Sequence, residues 1–209
     1  MEGRLTLLRQ QLGPSVRLLA ASKQQSRQAI LEAHELGQMH FGENYAQELQ
    51  SKAKDLPATI HWHFIGALQG NKLRGLLAIP NLWAIETLDT AKHATQIHAF
   101  CQELDRTVRV FIQVNTSGEQ QKQGCNPTEL PLLIAHVRTL PRLELLGLMT
   151  IGSLGTGERD FACLRSLRDQ HLPGGELGMG MSGDWQLAVQ MGATEVRLGT
   201  LLFGERPPK

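Results

Sequence analysis

Lys23 is the residue in this sequence with the clearest potential for covalent chemistry. It follows the apolar run LLAAS, which has the composition of a buried strand. An ammonium group at the end of such a strand loses solvation, which lowers its pKa, and the neutral amine can then attack an aldehyde. Taken alone, Lys23 fits a surface lysine just past a strand end better, so other residues must support the chemical interpretation.

Two glycine-containing turns near the end of the sequence predict a phosphate site. In GMGMSGDW, Ser182 suits the N-cap of a helix that begins near Asp184, and Gly183 lets a ligand approach the backbone. The positive end of that helix dipole would face the same point. The next apolar run ends with Gly199 and Thr200, which add a second small-residue turn and a hydroxyl group. The alternative is that these residues only form tight turns.

Arg197 is expected to point toward a bound ligand. It neighbours Leu198 on a predicted strand, so the two side chains face opposite sides, and Arg197 points inward if Leu198 packs against helices. A guanidinium can donate to a ring nitrogen without surrendering its own proton, so a pyridine ring there would stay unprotonated. The alternative is a structural ion pair with Glu43, Glu86 or Glu195.

The elements that must position these residues are short, β-prone apolar runs. Eight of them alternate with segments of helical spacing, at residues 16–21, 39–42, 60–66, 82–86, 108–115, 143–149, 176–180 and 194–199. Strands that alternate with helices form parallel sheets, and eight units close into a (β/α)8 TIM barrel. A doubly wound open sheet is the alternative. In a barrel, chemistry gathers in the loops after the strands, where Lys23, Ser182 and Thr200 all fall.

Two further strand ends carry polar residues with open roles. Asn44 follows the second predicted strand and either caps the next helix or reaches the ligand. His61 and His63 share one face of a strand, a spacing that suits metal ligands, but no third ligand is evident and no metal is expected. One imidazole should lie inside the barrel and the other nearer its rim, while Trp62 and Phe64 pack against helices.

Composition predicts an ordinary globular protein with a small-molecule ligand. The sequence is 41% hydrophobic and 20% charged, and no linker divides it, so residues 1–209 are expected to form a single domain with a short N-terminal helix. With 21 Lys plus Arg against 20 Asp plus Glu, no attraction to nucleic acid or an anionic membrane is expected. The three cysteines show no disulfide pattern, and no signal or membrane span is recognisable, so a cytoplasmic location is expected.

Several segments together closely resemble the pyridoxal phosphate homeostasis family of the YggS/PROSC type, whose fold is that of the alanine racemase N-terminal barrel. They span residues 18–204 and are LLAASK, FGENYAQE, WHFIGALQGNK, VNTSGEQQKQG, LLGLMTI, LGMGMSGDW and VRLGTLLFG. The resemblance implies that Lys23 binds pyridoxal 5′-phosphate as a Schiff base. It implies a phosphate held by Ser182, Gly199 and Thr200, a pyridine nitrogen facing Arg197, and a pocket or pocket support formed by Asn44, His63, Asn71 and Met149.

The resemblance does not by itself decide whether the protein is a cofactor carrier or an enzyme. Racemases with this barrel use a second β domain, for which the sequence ending at Lys209 has no room, and the only tyrosine, Tyr45, falls just inside a helix. Proton transfer on both faces of a substrate needs an acid or base on each face. A non-catalytic, monomeric cofactor carrier in vitamin B6 and amino or keto acid homeostasis, with transient contact to apo-enzymes, is therefore expected. The alternatives are a small racemase-like enzyme and a phosphate-binding barrel without a Schiff base.

Overall fold

Strands and helices alternate along the whole protein. The computed structural model describes residues 1–152 and 157–205. The strands of this part are β1 (Arg17–Ala21), β2 (His40–Glu43), β3 (His61–Phe64), β4 (Leu82–Leu88), β5 (Val108–Gln113), β6 (Leu143–Met149), β7 (Glu176–Gly178) and β8 (Glu195–Leu198). The helices are α1 (Glu2–Leu12), α2 (Arg27–Glu35), α3 (Ala46–Asp55), α4 (Gly70–Leu77), α5 (Ala91–Glu103), α6 (Leu130–Arg138), α7 (Gly157–His171), α8 (Trp185–Gln190) and α9 (Thr200–Phe203).

The eight strands form one closed barrel in chain order. All neighbouring pairs are parallel, and β8 pairs with β1 in a register that places Arg17 opposite Glu195 and Ala20 opposite Leu198. The predicted (β/α)8 barrel is confirmed, and the open sheet is excluded because β1 and β8 are hydrogen-bonded. Parallel closure places the C-terminal ends of all strands at one rim.

The main apolar core lies between the strands and the surrounding helices. Trp62 and Phe64 are buried there, and the Trp62 ring centroid lies 5.9 Å from that of Phe41. Full burial of one such side chain stabilises the fold by about 1.5–3 kcal/mol. Leu198 belongs to the same core, so the predicted outward position of Leu198 and inward position of Arg197 are both confirmed.

The barrel interior, in contrast, contains a buried polar cluster. His63, Glu86 and Glu195 are fully buried and Arg197 is 6% exposed. His63 Nδ1 shares a short hydrogen bond with Glu86 Oε1, and Arg17 Nη1 donates to Glu195 Oε2 at 3.0 Å. Buried charges are tolerated only when they are paired in this way.

The N-terminal helix α1 attaches the start of the chain to the barrel. Its Leu5, Leu8 and Leu12 lie three and four residues apart and form one buried face. The short N-terminal helix expected from the sequence is therefore present. None of the helices in the described ranges combines the length and apolar character needed to cross a bilayer.

Candidate functional site

A cavity of about 360 Å³ opens at the C-terminal ends of the strands. This volume lies in the usual range for small-molecule sites. All predicted site residues except His63 and Asn71 line it. Its lining consists of Ala21, Lys23, Asn44, Ile65, Met149, Ile151, Met181, Ser182, Gly183, Arg197, Gly199 and Thr200.

Lys23 reaches this cavity from the turn that follows β1. The strand ends at Ala21, Ser22 is fully buried, and Lys23 is half-buried. Gln24 follows in the left-handed region with φ +61°. An L-residue rarely takes this conformation, which turns the chain sharply away after Lys23. The amine is thus attached to a rigid strand and a constrained turn.

The turns after β7 and β8 meet at one side of the cavity and form a small polar cradle. Thr200 Oγ1 donates to Ser182 Oγ at 3.2 Å. A Cβ placed on Gly183 would meet no atom within 4 Å, so the backbone there faces open space. Within the described residues, the backbone N–H groups of Ser182 and Gly183 donate no hydrogen bond to another backbone group. The hydroxyl and amide groups can donate to the oxygens of a phosphate.

The predicted capping role of Ser182 is wrong. Helix α8 begins at Trp185, and Asp184 takes the N-cap position. The Asp184 carboxylate accepts from the Met181 backbone N–H at 2.7 Å and closes the turn itself. Ser182 is therefore left within the turn, where its hydroxyl contacts Thr200 instead of the helix.

Arg197 lies at the base of the cavity, with its two terminal nitrogens in different surroundings. Nη2 donates to the Thr150 carbonyl at 2.6 Å. Nη1 is 4.0 Å from Glu86 Oε2 and is buried without a hydrogen-bond partner among the described residues. A buried donor without a partner is costly, so this nitrogen fits a ligand that brings an acceptor, such as a ring nitrogen. Arg197 therefore lines the cavity and also approaches Glu86, so the position predicted for a ligand contact and the alternative ion pair are not mutually exclusive.

The polar cluster under Arg197 holds groups with shifted pKa values. Burial raises the pKa of Glu86 to about 7, and burial together with the Glu86 charge raises that of Glu195 to about 8. Burial lowers the pKa of His63 to about 4 and that of His40 to about 3. Near neutral pH the imidazoles are therefore neutral, Glu195 largely retains its proton and Glu86 does so in part.

The polar cluster also contains further side chains that could act as metal ligands beside a histidine, which the sequence pattern of His61 and His63 did not reveal. His63, Glu86 and Glu195 each offer one ligand atom within 4.8 Å of the others, although His61 is not part of the group. Arg17 contacts Glu195 and Arg197 approaches Glu86, so cations of the protein already stand beside these carboxyl groups. The arrangement fits a hydrogen-bonded support for Arg197 better than a metal centre.

The remaining predicted residues fall at different distances from the cavity. Asn44 does not cap α3, since Tyr45 takes that position; its Nδ2 donates to the Ile65 carbonyl at 3.5 Å, and its Oδ1 is buried without a partner in the described part of the chain. Met149 lines the cavity and is buried. His63 lies one layer below, and Asn71 is exposed on α4.

Four lining residues were missed by the sequence analysis, namely Ala21, Ile65, Ile151 and Met181. They are apolar, so residue type gave no chemical signal. The available signal was their position at or shortly after the C-terminal ends of strands, because the residues at this rim surround the cavity mouth. Ile151 and Met181 are substantially exposed and form an apolar edge at the mouth.

Residues of the WHFIGALQGNK segment line a second, smaller cavity. It has a volume of about 260 Å³ and lies between the starts of α3 and α4, where Gly66, Leu68 and Lys72 line it together with Asn44. A Cβ on Gly66 would lie 1.8 Å from the Asn44 carbonyl oxygen, so only glycine allows this approach. Through this contact the segment packs against the backbone of Asn44, which lines the main cavity.

Comparison with known proteins places the barrel in a defined class. The family described as alanine racemase, N-terminal domain, matches residues 1–207. A protein of Schizosaccharomyces pombe named pyridoxal phosphate homeostasis protein is 41% identical over 97% of this chain and 92% of its own length. The chain therefore has the alanine racemase N-terminal type of barrel.

Solved structures narrow this class. PipY of Synechococcus elongatus, in a structure without pyridoxal phosphate, matches with a TM-score of 0.89 and 39% identity over 97% of this chain and 99% of its own. PipY with pyridoxal phosphate bound matches with a TM-score of 0.85 and 37% identity over the same shares. The chain belongs to the pyridoxal phosphate homeostasis protein family.

Proposed function

We propose that this protein binds pyridoxal 5′-phosphate as a Schiff base on Lys23 and carries it in vitamin B6 and amino or keto acid homeostasis without catalysing a reaction. The observation that carries the proposal is one cavity lined both by Lys23 and by the turns that contain Ser182, Gly183 and Thr200. When bound, the cofactor supplies an aldehyde that condenses with amines and a phosphate with negative charge. The bound cofactor in the PipY structure supports the same assignment.

The side chains around the cavity match the parts of this cofactor. The Ser182 and Thr200 hydroxyls donate to phosphate, and the missing side chain of Gly183 leaves room for it. Arg197 presents an unpaired N–H of Nη1 that suits the pyridine nitrogen. Because a guanidinium keeps its proton, the ring nitrogen stays unprotonated and withdraws electrons weakly, which disfavours amino acid chemistry.

The titratable groups of the cavity support a carrier over the racemase-like alternative. Among the described lining residues, Lys23 and Arg197 carry the ionisable side chains, and only the lysine can act as a base near neutral pH. A racemase needs an acid or base on each face of the substrate. Tyr45 is 55% exposed and lies outside this lining.

Borohydride reduction tests the covalent assignment. Purified protein is loaded with pyridoxal 5′-phosphate, reduced, digested and mapped by mass spectrometry. The expected adduct is on Lys23, and Lys23→Ala should lose both the adduct and the visible absorption band. Lys72→Ala, which removes a lysine of the neighbouring cavity, should keep both. An adduct on another lysine, or none, would overturn the assignment and favour a phosphate-binding barrel.

A chirality assay tests the absence of catalysis. The loaded protein is incubated with L-alanine and D-alanine separately, and the enantiomers are measured over time. We expect negligible conversion. Turnover of about one per second or more, which is within the range of ordinary enzymes, would establish the racemase-like alternative instead.

The proposal includes a monomeric protein in the cytoplasm that exchanges the cofactor with pyridoxal-phosphate-dependent apo-enzymes. The cavity mouth supports exchange because Ile151 and Met181 are exposed there. Light scattering of the loaded protein should give the mass of one chain. Mixing it with an apo-enzyme of this class should transfer the cofactor faster than spontaneous release, and equal rates would exclude direct transfer.

A further inference from the structure

A buried group of charges, the Lys52 cluster, surrounds the backbone next to Lys23. It consists of Lys52 and Glu48 on α3 and Glu43 at the end of β2. Lys52 Nζ donates to Glu43 Oε1 and Glu48 Oε1, each at 2.7 Å, and to the Ser22 carbonyl at 2.9 Å. The ammonium group has three protons, so these three acceptors satisfy it completely.

The Lys52 cluster holds the residue before Lys23 in two ways. Lys52 binds the Ser22 carbonyl, and the Ser22 hydroxyl donates to Glu43 Oε1 at 2.7 Å. Ser22 and Glu43 are fully buried, and the Lys52 side chain is 5% exposed. Charge-assisted hydrogen bonds of this kind are strong and directional when water is excluded. They fix the last part of β1 before the amine-bearing residue.

The same cluster holds the residue after Lys23. The backbone N–H of Gln24 donates to Glu48 Oε1 at 2.8 Å. Gln24 has φ +61°, a conformation that costs an L-residue free energy unless surrounding contacts maintain it. The turn is therefore maintained by the Glu48 carboxylate together with the hydrogen bond from the Gln25 N–H to the Ser22 carbonyl at 3.0 Å, and Lys52 in turn holds the Glu48 carboxylate.

The charges of the Lys52 cluster depend on one another. Two carboxylates share a single ammonium group in a site that is buried at Glu43 and Lys52 and partly open to water at Glu48. Burial raises the pKa of Glu43, and the nearby Lys52 charge opposes this rise. Removal of Lys52 would leave two carboxylates facing each other, which separates them or protonates one. Either outcome would remove the Lys52 hydrogen bond to the Ser22 carbonyl, and a displaced Glu48 would also release the Gln24 N–H.

We propose that Lys52, acting with Glu43 and Glu48, is a positioning residue that fixes the backbone on both sides of Lys23 and so aims its amine at the aldehyde. The proposal rests on the proposed function, because it assumes that Lys23 forms the covalent bond. It assigns a role in the bonding step to residues outside the cavity lining. Displacing a reacting group by about 1 Å can slow its reaction about a hundredfold.

The test compares two ligands on the full chain. Pyridoxal 5′-phosphate binds and forms the Schiff base, whereas pyridoxine 5′-phosphate carries an alcohol in place of the aldehyde and can only bind. We expect Lys52→Met and Glu48→Ala to slow formation of the visible band at least about tenfold, with unchanged affinity for the alcohol analogue. Lys54→Met, an exposed lysine on the same helix, should match the wild type.

A second substitution separates positioning from general damage to the fold. Glycine adopts the φ of Gln24 without strain, so Gln24→Gly should restore much of the rate lost in Glu48→Ala. Glu48 is partly exposed, so its variant keeps the test available even where Lys52→Met does not fold. Equal losses for both ligands, unchanged rates, or no rescue would each overturn the positioning role. A wild-type protein without an adduct on Lys23 would instead refute the proposed function.

Discussion

The free energy of unfolding should decrease between pH 6.5 and pH 8, because Glu86 and Glu195 are buried in the barrel interior. Burial raises the pKa of Glu86 to about 7 and that of Glu195 to about 8, from an ordinary value of 4.5. Above pH 4.5 the folded protein therefore holds protons that the unfolded chain has released. Raised carboxyl pKa values stabilise the fold at low pH, and this stabilisation is lost as pH rises through them.

The buried imidazoles set the lower limit of this pH range. Burial lowers the pKa of His63 to about 4 and that of His40 to about 3, from 6.5. Below pH 6.5 the unfolded chain takes up these protons first, so the two histidines and the two carboxyl groups oppose each other. From pH 6.5 to pH 8 the two carboxyl groups lose about 2.4 kcal/mol of stabilisation, and the two histidines, half protonated in the unfolded chain at pH 6.5, regain about 0.8 kcal/mol, so the net loss is about 1.5–2 kcal/mol.

Urea denaturation of the ligand-free protein at pH 6.5 and pH 8 measures this loss. Glu195→Gln should remove most of it, because Glu86 alone contributes about 0.8 kcal/mol over this range, which the two histidines offset. Glu144→Gln changes an exposed glutamate on β6 and should retain the wild-type loss. An equal free energy of unfolding at both pH values in the wild type would refute the assignment of retained protons to the barrel interior.

Three substitutions test other parts of the site. Arg197→Met should lower stability by about 1–3 kcal/mol, because the Thr150 carbonyl loses its buried donor, and should weaken cofactor binding. Urea denaturation and a spectroscopic titration measure the two effects, and an unchanged affinity would contradict the ligand-facing role. Gly183→Val should leave the melting temperature unchanged, because the new side chain enters open space. It should lower the affinity for inorganic phosphate measured by calorimetry, and an unchanged affinity would show that phosphate does not bind at this turn. Gly66→Ala should destabilise the fold by more than about 3 kcal/mol through the clash with the Asn44 carbonyl, and a wild-type melting curve would exclude that clash.

The barrel and its reactive rim were predictable from the sequence because both depend on local pattern. Apolar runs bounded by polar residues gave all eight strands, and parallel closure then fixed which ends meet. Two details of the sequence-based prediction were wrong, at the end of β7 and at the start of α8, because the residue pattern there allows more than one interpretation. β7 ends at Gly178, two residues early, because Gly180 turns the backbone at φ +98°. Ser182 and Asp184 are both good capping residues, and only the folded turn shows that Asp184 takes the N-cap position.

The charged supports of the site could not be predicted in the same way. Glu86 and Glu195 lie inside strands, where burial of a carboxyl group is unfavourable unless a specific partner is present. Their partners come from other strands, and Lys52 contacts Ser22 across 30 positions of the sequence. Such pairings depend on tertiary geometry, for which periodicity and composition carry no signal. The sequence thus indicated the polar part of the cavity lining and offered Glu43, Glu86 and Glu195 as partners for Arg197, but it did not choose among them and gave no sign of Lys52.

The pairing of β1 with β8 has a consequence for when the protein can acquire its ligand during synthesis. The amine of Lys23 emerges early from the ribosome, whereas the turn at Thr200 is made almost last. A nascent chain without its final strand has an open seam and only part of the cradle. Under the proposed function, ligand capture would follow closure of the ring, and an occupied site would report that folding is complete.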